Sequence, residues 1–402
     1  MTSGIRKSND PVKRRVRERA GVYIGWEGSP ATYMVEDVNQ PATYLDWNAT
    51  APALPEAITA MEQAMQGWAN PSSVHAAGRR AKAALEGHRR ALAAGLGVSP
   101  EALIFTSGGS EALGLALGQA RAESRIVSAI EHDAVRAQAV GAHILPVDAS
   151  GLADMEALDA LLIEAEGPPL VAVMHANNET GVIQPIAAIA EKVWAAEGLL
   201  LVDCVQTAGK LPLPSCDFAA VSAHKLGGAP GVGALIVRCL DNLQAVPRGG
   251  GQERGYRAGT ENLPGIAAFA AALAVRQANK DWLARVEKLR DEMEARMQEI
   301  APDVVIAGQN APRLPTTTAV RLPGVPASTQ VIALDMAGVQ VSSGAACSSG
   351  KVRASHVLQA MGWDEGAAQE TIRISMGPTT SAEDIARALA AWEKLAQQRR
   401  TR

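Results

Sequence analysis

The chain has 402 residues and a mass of 41.9 kDa, enough for two or three packing units around a sizeable buried core. With 47% of residues apolar and 20% charged, the composition excludes a mainly disordered or fibrous protein. The 38 basic residues set against 42 acidic ones leave a net charge of −4, so no global basic field invites nucleic acid.

The first residues stand apart. Arg6, Lys7, Lys13, Arg14, Arg15, Arg17 and Arg19 face only Asp10 and Glu18, a basic arm without the apolar core of a secretory signal. Residues 1–40 are expected to be a solvated, disordered extension. A mitochondrial presequence is the alternative, and sparse serine and Pro11 argue against it. From Glu56 to Trp282, short β-rich runs alternate with Ala-rich helical stretches, the pattern of parallel strands joined by crossover helices. The runs 103–105, 125–128, 170–174, 199–202 and 234–237 are nearly all apolar, as expected of strands buried on both faces. Then Leu283, Val286, Leu289, Met293, Met297 and Ile300 recur every three or four residues, one face of an amphipathic helix that opens a second, smaller unit. That unit, running to Arg402, mixes strand-like 317–322 and 372–374 with a helix from Ala382. No apolar stretch reaches the roughly 18 residues of a membrane span.

Four cysteines, Cys204, Cys216, Cys239 and Cys347, are too scattered for a disulfide framework and form no CxxC pair for structural zinc. A reducing, cytoplasmic setting is expected.

In an open parallel sheet, ligands gather at the carboxyl ends of strands. After Phe105 comes Thr106-Ser107-Gly108-Gly109-Ser110-Glu111, a small-residue turn whose backbone N–H groups, with the Ser110 hydroxyl, would cradle a phosphate. Taken alone it is more simply a Gly-Gly turn with a serine N-cap. After Val202 stands Asp203, a carboxylate that needs a neutralising partner when buried. That partner is either an Arg or Lys of the fold or a protonated ring nitrogen of a cofactor. After Val221 come Ser222, Ala223, His224 and Lys225, then a glycine-rich stretch. A lone lysine is ordinarily a surface residue. One desolvated among small residues has a depressed pKa and forms Schiff bases. A phosphate cradle, a buried Asp and such a Lys are together the three handles that a protein needs on pyridoxal phosphate.

With these strings, and with Tyr44-Leu45-Asp46, Asn70-Pro71-Ser72-Ser73, Glu131-His132-Asp133-Ala134-Val135, Asn177-Asn178-Glu179-Thr180-Gly181, Gly249-Gly250-Gly251-Gln252-Glu253-Arg254, Arg257-Ala258-Gly259-Thr260 and Ala346-Cys347-Ser348-Ser349-Gly350, the chain resembles the class V aminotransferase family and, within it, the pyridoxal-phosphate-dependent cysteine desulfurases. The resemblance runs from Tyr44 to about Ile385. It implies a fold-type I α/β protein. A large cofactor domain would span 56–282, with a mainly parallel sheet covered by helices. A small α+β domain would span 283–402, and a segment 41–55 would pack against it.

By resemblance, Lys225 would hold the cofactor as a Schiff base, Asp203 would face the pyridine nitrogen, and Gln206 and Asn178 would address the ring hydroxyl. His132 would stack on the ring, while Gly109, Ser110, Ser222 and His224 would meet the phosphate. Thr260 would reach it from the other subunit of a homodimer. Arg373 and Asn48 would bind substrate, with Arg373 clamping its carboxylate.

A lone cysteine is ordinarily inert and buried. Cys347, flanked by Ser and Gly, would be a mobile acceptor of sulfur from L-cysteine, as in the family's long-loop group, and would release L-alanine. A persulfide on it would pass to a protein acceptor such as an iron-sulfur scaffold, or toward tRNA thiolation. No direct nucleic-acid or membrane contact is implied. Cys204, Cys216 and Cys239 read as structural. The chain departs from the family at Gly228-Ala229-Pro230-Gly231, at Leu113-Gly114 and at Ala345. Selenocysteine lysis, another class V reaction, and a non-catalytic sulfur-transfer scaffold remain open at this level.

Overall fold

The computed structural model describes residues 42–246, 249–344 and 354–400. The basic arm and Cys347 lie outside them. Among the described residues there are twelve strands: β1 (Thr43–Tyr44), β2 (Leu103–Thr106), β3 (Ser124–Ser128), β4 (His143–Leu145), β5 (Pro169–Met174), β6 (Leu199–Asp203), β7 (Phe218–Ser222), β8 (Gly233–Val237), β9 (Val305–Ile306), β10 (Thr317–Arg321), β11 (Val339–Gln340) and β12 (Thr371–Ser375).

Seven of them form one sheet in the order β2-β8-β7-β6-β5-β3-β4. Strands β4, β3, β5, β6 and β7 are mutually parallel, whereas β8 runs antiparallel to both β7 and β2. The apolar runs seen in the sequence are strands of this sheet, and their alternation explains it. Val171 and Val173 of β5, Leu200 and Val202 of β6, and Ala234 and Ile236 of β8 join the core on one face. Their neighbours Leu170, Ala172, Leu201, Leu235 and Val237 join the core on the other. A period of two with both sets apolar is what a helix-covered sheet requires, and each fully buried Val, Leu or Ile contributes about 1.5–3 kcal/mol.

The β2–β8 pairing also explains one glycine. A Cβ on Gly233 would lie 2.6 Å from the Val221 carbonyl oxygen and 2.7 Å from the Gly108 backbone, so only a bare backbone lets β8 pass beside the turn that follows β2.

The helix Asp281–Ile300 buries Val286, Leu289, Met293 and Met297, on the spacing read from the sequence. They pack with Leu45, Val320, Ile372, Ile374 and Trp392 in a further core, built around a three-stranded sheet of order β12-β10-β9. Strand β1 pairs in parallel with β11, and Asp46 bridges to Ser375. The segment after β1 then crosses toward the large sheet, where Ala51 N–H donates to the His224 carbonyl at 2.9 Å and Leu54 N–H to that of Gly227 at 2.8 Å. Among the described residues no helix is long and apolar enough to cross a membrane.

Candidate active site

A cavity of 720 Å³ lies where the parallel strands end. Each wall follows a strand terminus: Gly109 and Ser110 after β2, His132 after β3, Asn178 after β5, Asp203 and Gln206 at and after β6, and Ser222, His224 and Lys225 at and after β7. Asn48, from the segment after β1, and Arg373, from β12, complete it. Eleven of the residues singled out in the sequence thus share one cavity. Thr260 is exposed and not among its lining residues. Cys347 lies outside the described residues, but Gly344 and Ala354, the described residues that flank its segment, both line this cavity.

Ser110 is not the cap of its helix. The helix Gly109–Gln119 starts one residue earlier, with Gly108 at the cap position and no side-chain capping bond. The Ser110 hydroxyl therefore stays available, and the first N–H groups of the helix lack intrahelical partners. A Cβ on Gly109 would lie 2.7 Å from Val205 Cγ2 and 3.6 Å from Ser222 Cβ. The floor of the cradle is open only because this residue is glycine.

Asp203 is buried, and its Oδ1 accepts the Val205 N–H at 2.8 Å. Burial raises its pKa, opposed by that bond and by the nearby His132 and Lys225. Glu131, wholly buried, takes the Met174 N–H at 2.6 Å on Oε1, while Oε2 has no partner. Burial, with Asp203 nearby, holds its pKa well above the usual carboxylate range. Of the two buried carboxylates, Asp203 is the one that lines the cavity and so the one placed to face a cationic ring nitrogen. Sequence reasoning gave Glu131 no role, although the charged residue beside His132 was its signal.

Lys225 Nζ donates to the carbonyls of Asn48 at 2.6 Å and Ala49 at 2.9 Å. Burial and then the Arg373 charge lower its pKa to about 8, against the opposing pull of Asp203 and Asp46. An appreciable neutral fraction therefore exists near physiological pH, as a lysine nucleophile requires. His224, lowered to about 4 mainly by burial, is neutral and shares a 3.2 Å contact between Nδ1 and Thr50 Oγ1. It can meet a phosphate as a hydrogen-bonding group, not as a cation. His132 has two roles: Nδ1 caps the short helix Asp133–Arg136 by accepting the Ala134 N–H at 3.0 Å, and the ring lines the cavity.

The substrate-side residues are engaged with each other. Arg373 Nη2 donates to Asp46 Oδ1 at 2.6 Å and Nη1 to the Asn178 carbonyl at 3.1 Å, leaving buried Nε without a partner. Asn48 Nδ2 donates to the Asn178 carbonyl and to Thr317 Oγ1, and its Oδ1 is buried and unpartnered. Gln206 Nε2 donates to the Asn48 carbonyl, and its Oε1 is likewise unpartnered.

Three buried polar atoms without partners around one cavity are the mark of a site shaped for a polar ligand. A glycine cradle, a buried carboxylate and a depressed lysine fit pyridoxal phosphate at its phosphate, ring nitrogen and aldehyde respectively. Of the other cysteines, Cys204 and Cys216 are buried, with thiols pushed up by burial, to about 12 for Cys216. Cys239 is exposed instead of packed.

The family model for Aminotransferase class-V matches residues 43–388. A cysteine desulfurase of Cereibacter sphaeroides is 39% identical over 365 residues, 86% of this chain and 93% of that protein. The NifS-like protein of Rickettsia africae, solved by X-ray crystallography, is 34% identical with a TM-score of 0.81, covering 89% of this chain and 99% of that one. SspA, solved in complex with cysteine, is 27% identical with a TM-score of 0.72 over 84% of this chain and 99% of its own. The strand-end site and these likenesses agree: this chain belongs to the class V aminotransferases and, within them, to the cysteine desulfurases.

Proposed function

We propose that the chain, with pyridoxal phosphate bound, removes sulfur from L-cysteine, releases L-alanine and retains the sulfur as a persulfide on Cys347. The observation that carries this reading is the gathering of Asp203, Lys225 and the open Gly109 turn around one cavity whose rim holds the flanks of the Cys347 segment. Relatives named cysteine desulfurases, and SspA in complex with cysteine, support it.

Gly109, Ser110, Ser222 and His224 would hold the phosphate, His132 the ring face, Gln206 and Asn178 the ring hydroxyl, and Asp203 a proton on the ring nitrogen. When bound, the cofactor supplies an electron sink for charge developing at the substrate Cα. Arg373 orients the substrate carboxylate with its guanidinium fork. The neutral Lys225 amine takes the Cα proton and returns one. The Cys347 thiolate attacks the substrate sulfur; a sulfur–sulfur bond forms as the Cβ–S bond breaks, and Cβ takes up a proton to become the methyl group of alanine.

The same reading makes the enzyme a cytoplasmic homodimer of the long-loop group, with Thr260 reaching the partner's phosphate site. A large domain over 56–282 carries the cofactor, and a small one over 283–402 carries Cys347. The persulfide passes to a protein acceptor for iron-sulfur assembly or tRNA thiolation.

The test is purified holoenzyme given cysteine and a thiol reductant. Cys347→Ser should stop sulfide release while keeping the visible band of the cofactor. Sulfide release at the wild-type rate would sink the persulfide mechanism, and a chain unable to take up pyridoxal phosphate would point to a non-catalytic scaffold.

A further inference from the structure

Behind Lys225, on a side not used by the chemistry above, lies a second, much smaller chamber of 20 Å³. That is room for one sphere the size of a water molecule or halide ion. Lys225 lines both spaces. The small chamber is also lined by Lys210, Arg276 and Trp282, with Trp47 and Met376 among its apolar walls.

Its chemistry is one-sided. No Asp, Glu, Asn, Gln, Ser, Thr, Tyr or His side chain contributes to the lining, so the polar side-chain groups available there are donors, with the Met376 thioether the one weak acceptor. Trp282 Nε1 is buried without a hydrogen-bond partner. Lys210 has neither a hydrogen bond from its amine nor an ion pair among the described residues. Arg276 donates from Nε to the Leu226 carbonyl at 2.8 Å and likewise forms no ion pair among the described residues. Its guanidinium carbon lies 6.0 Å from the Trp282 ring centroid. An indole N–H with no acceptor is a polar group that folding normally satisfies. Glu56 acts on Arg276 and Asp203 and Asp46 act on Lys225 from outside the lining, so Lys210, with no carboxylate paired to it among the described residues, is the cation that lacks a counter-charge.

We propose that this chamber is a binding site for a small monovalent inorganic anion of halide size, held by Lys210, Arg276 and the Trp282 indole N–H behind the catalytic lysine. Burial and the neighbouring Lys225 and Arg276 charges depress Lys210 to about 7, and an anion beside the ammonium opposes that shift. An anion here screens Lys225 from Lys210 and Arg276. It therefore acts on the charge of the residue that forms the cofactor bond without occupying the substrate cavity.

The site is testable without reference to turnover. Crystals of the holoenzyme grown in sodium bromide should show an anomalous bromide peak in the chamber. The peak should be lost in Lys210→Met and weakened in Trp282→Phe, which keeps the ring and removes only the N–H. In solution, line broadening of the chloride NMR signal by the holoenzyme should report binding that Lys210→Met weakens by about tenfold or more, the worth of one charge-assisted hydrogen bond. Bromide found only on the outer surface, or a chamber peak unchanged in both variants, overturns the proposal. Should Lys210→Met fail to fold, Trp282→Phe and the wild-type map still decide it.

Discussion

The cavity has two sides of different construction. On the seven-stranded-sheet side, main-chain geometry fixes the functional groups. Asp203 is the last residue of its strand and is held by the Val205 N–H, Ser222 ends the next strand, and Gly109 opens a helix whose start is free of side-chain caps. On the three-stranded-sheet side, Arg373 is held by exchangeable side-chain and carbonyl partners, Asp46 and the Asn178 carbonyl. On the proposed function, the contrast means that one side is pre-organised to seat a rigid, permanently bound ring and phosphate. The other must trade internal bonds for those of a transient substrate. Substitutions on the first side should therefore remove cofactor chemistry, and those on the second should act on substrate affinity.

The sharpest break is Lys225→Ala. It should abolish covalent cofactor attachment, detected as loss of borohydride-trapped cofactor, and lower alanine formation by about 10³–10⁴, the upper part of the usual effect of a single general base. Asp203→Asn should keep the cofactor bound but lower kcat by roughly 10²–10³, the scale of a lost preorganised charge. A rate within a few-fold of wild type would remove Asp203 from the ring nitrogen. On the other side, Arg373→Ala should raise KM for cysteine by about ten- to a hundredfold, one or two charge-assisted bonds, with a near-normal cofactor spectrum. A collapse of cofactor binding instead would erase the distinction between the two sides.

A smaller effect is one of pH. Lys225 must be neutral to attack the cofactor aldehyde, and its pKa is lowered to about 8. The rate of cofactor loading into apo-protein should thus rise about tenfold per pH unit below 8 and level off above it. The same lowering sets a stability trend. Between about 8 and the ordinary lysine value of 10.5, the unfolded chain binds the proton that the folded apo-protein has lost, so apo stability should rise with pH across that window. Thermal melting of apo-protein against the Lys225→Met variant checks the sign.

The strand-end side was the legible one. Its residues follow directly after apolar runs, and a carboxylate or lysine stranded at the end of a buried strand carries its own physical question. The other side was legible only through resemblance, because Asp46 and Arg373 are 327 residues apart and no local pattern joins them. Composition of a run also does not encode direction: β8 is as apolar as β5, yet it alone among the seven runs opposite to the other six. Strand β4 was missed because only Leu145 of its three residues is buried, at the sheet edge. The chamber lined by Lys210 and Trp282 was invisible for the same reason as the Asp46–Arg373 pair.

The central claim is that sulfur leaves cysteine over Lys225 and is retained by Cys347. Mass spectrometry of the Cys347 peptide, taken from holoenzyme after cysteine and before any reductant, tests it most directly. The account predicts one added sulfur, about 32 Da, removable by thiol and matched by one alanine. Alanine and sulfide formed at full rate with an unmodified Cys347 peptide would contradict it.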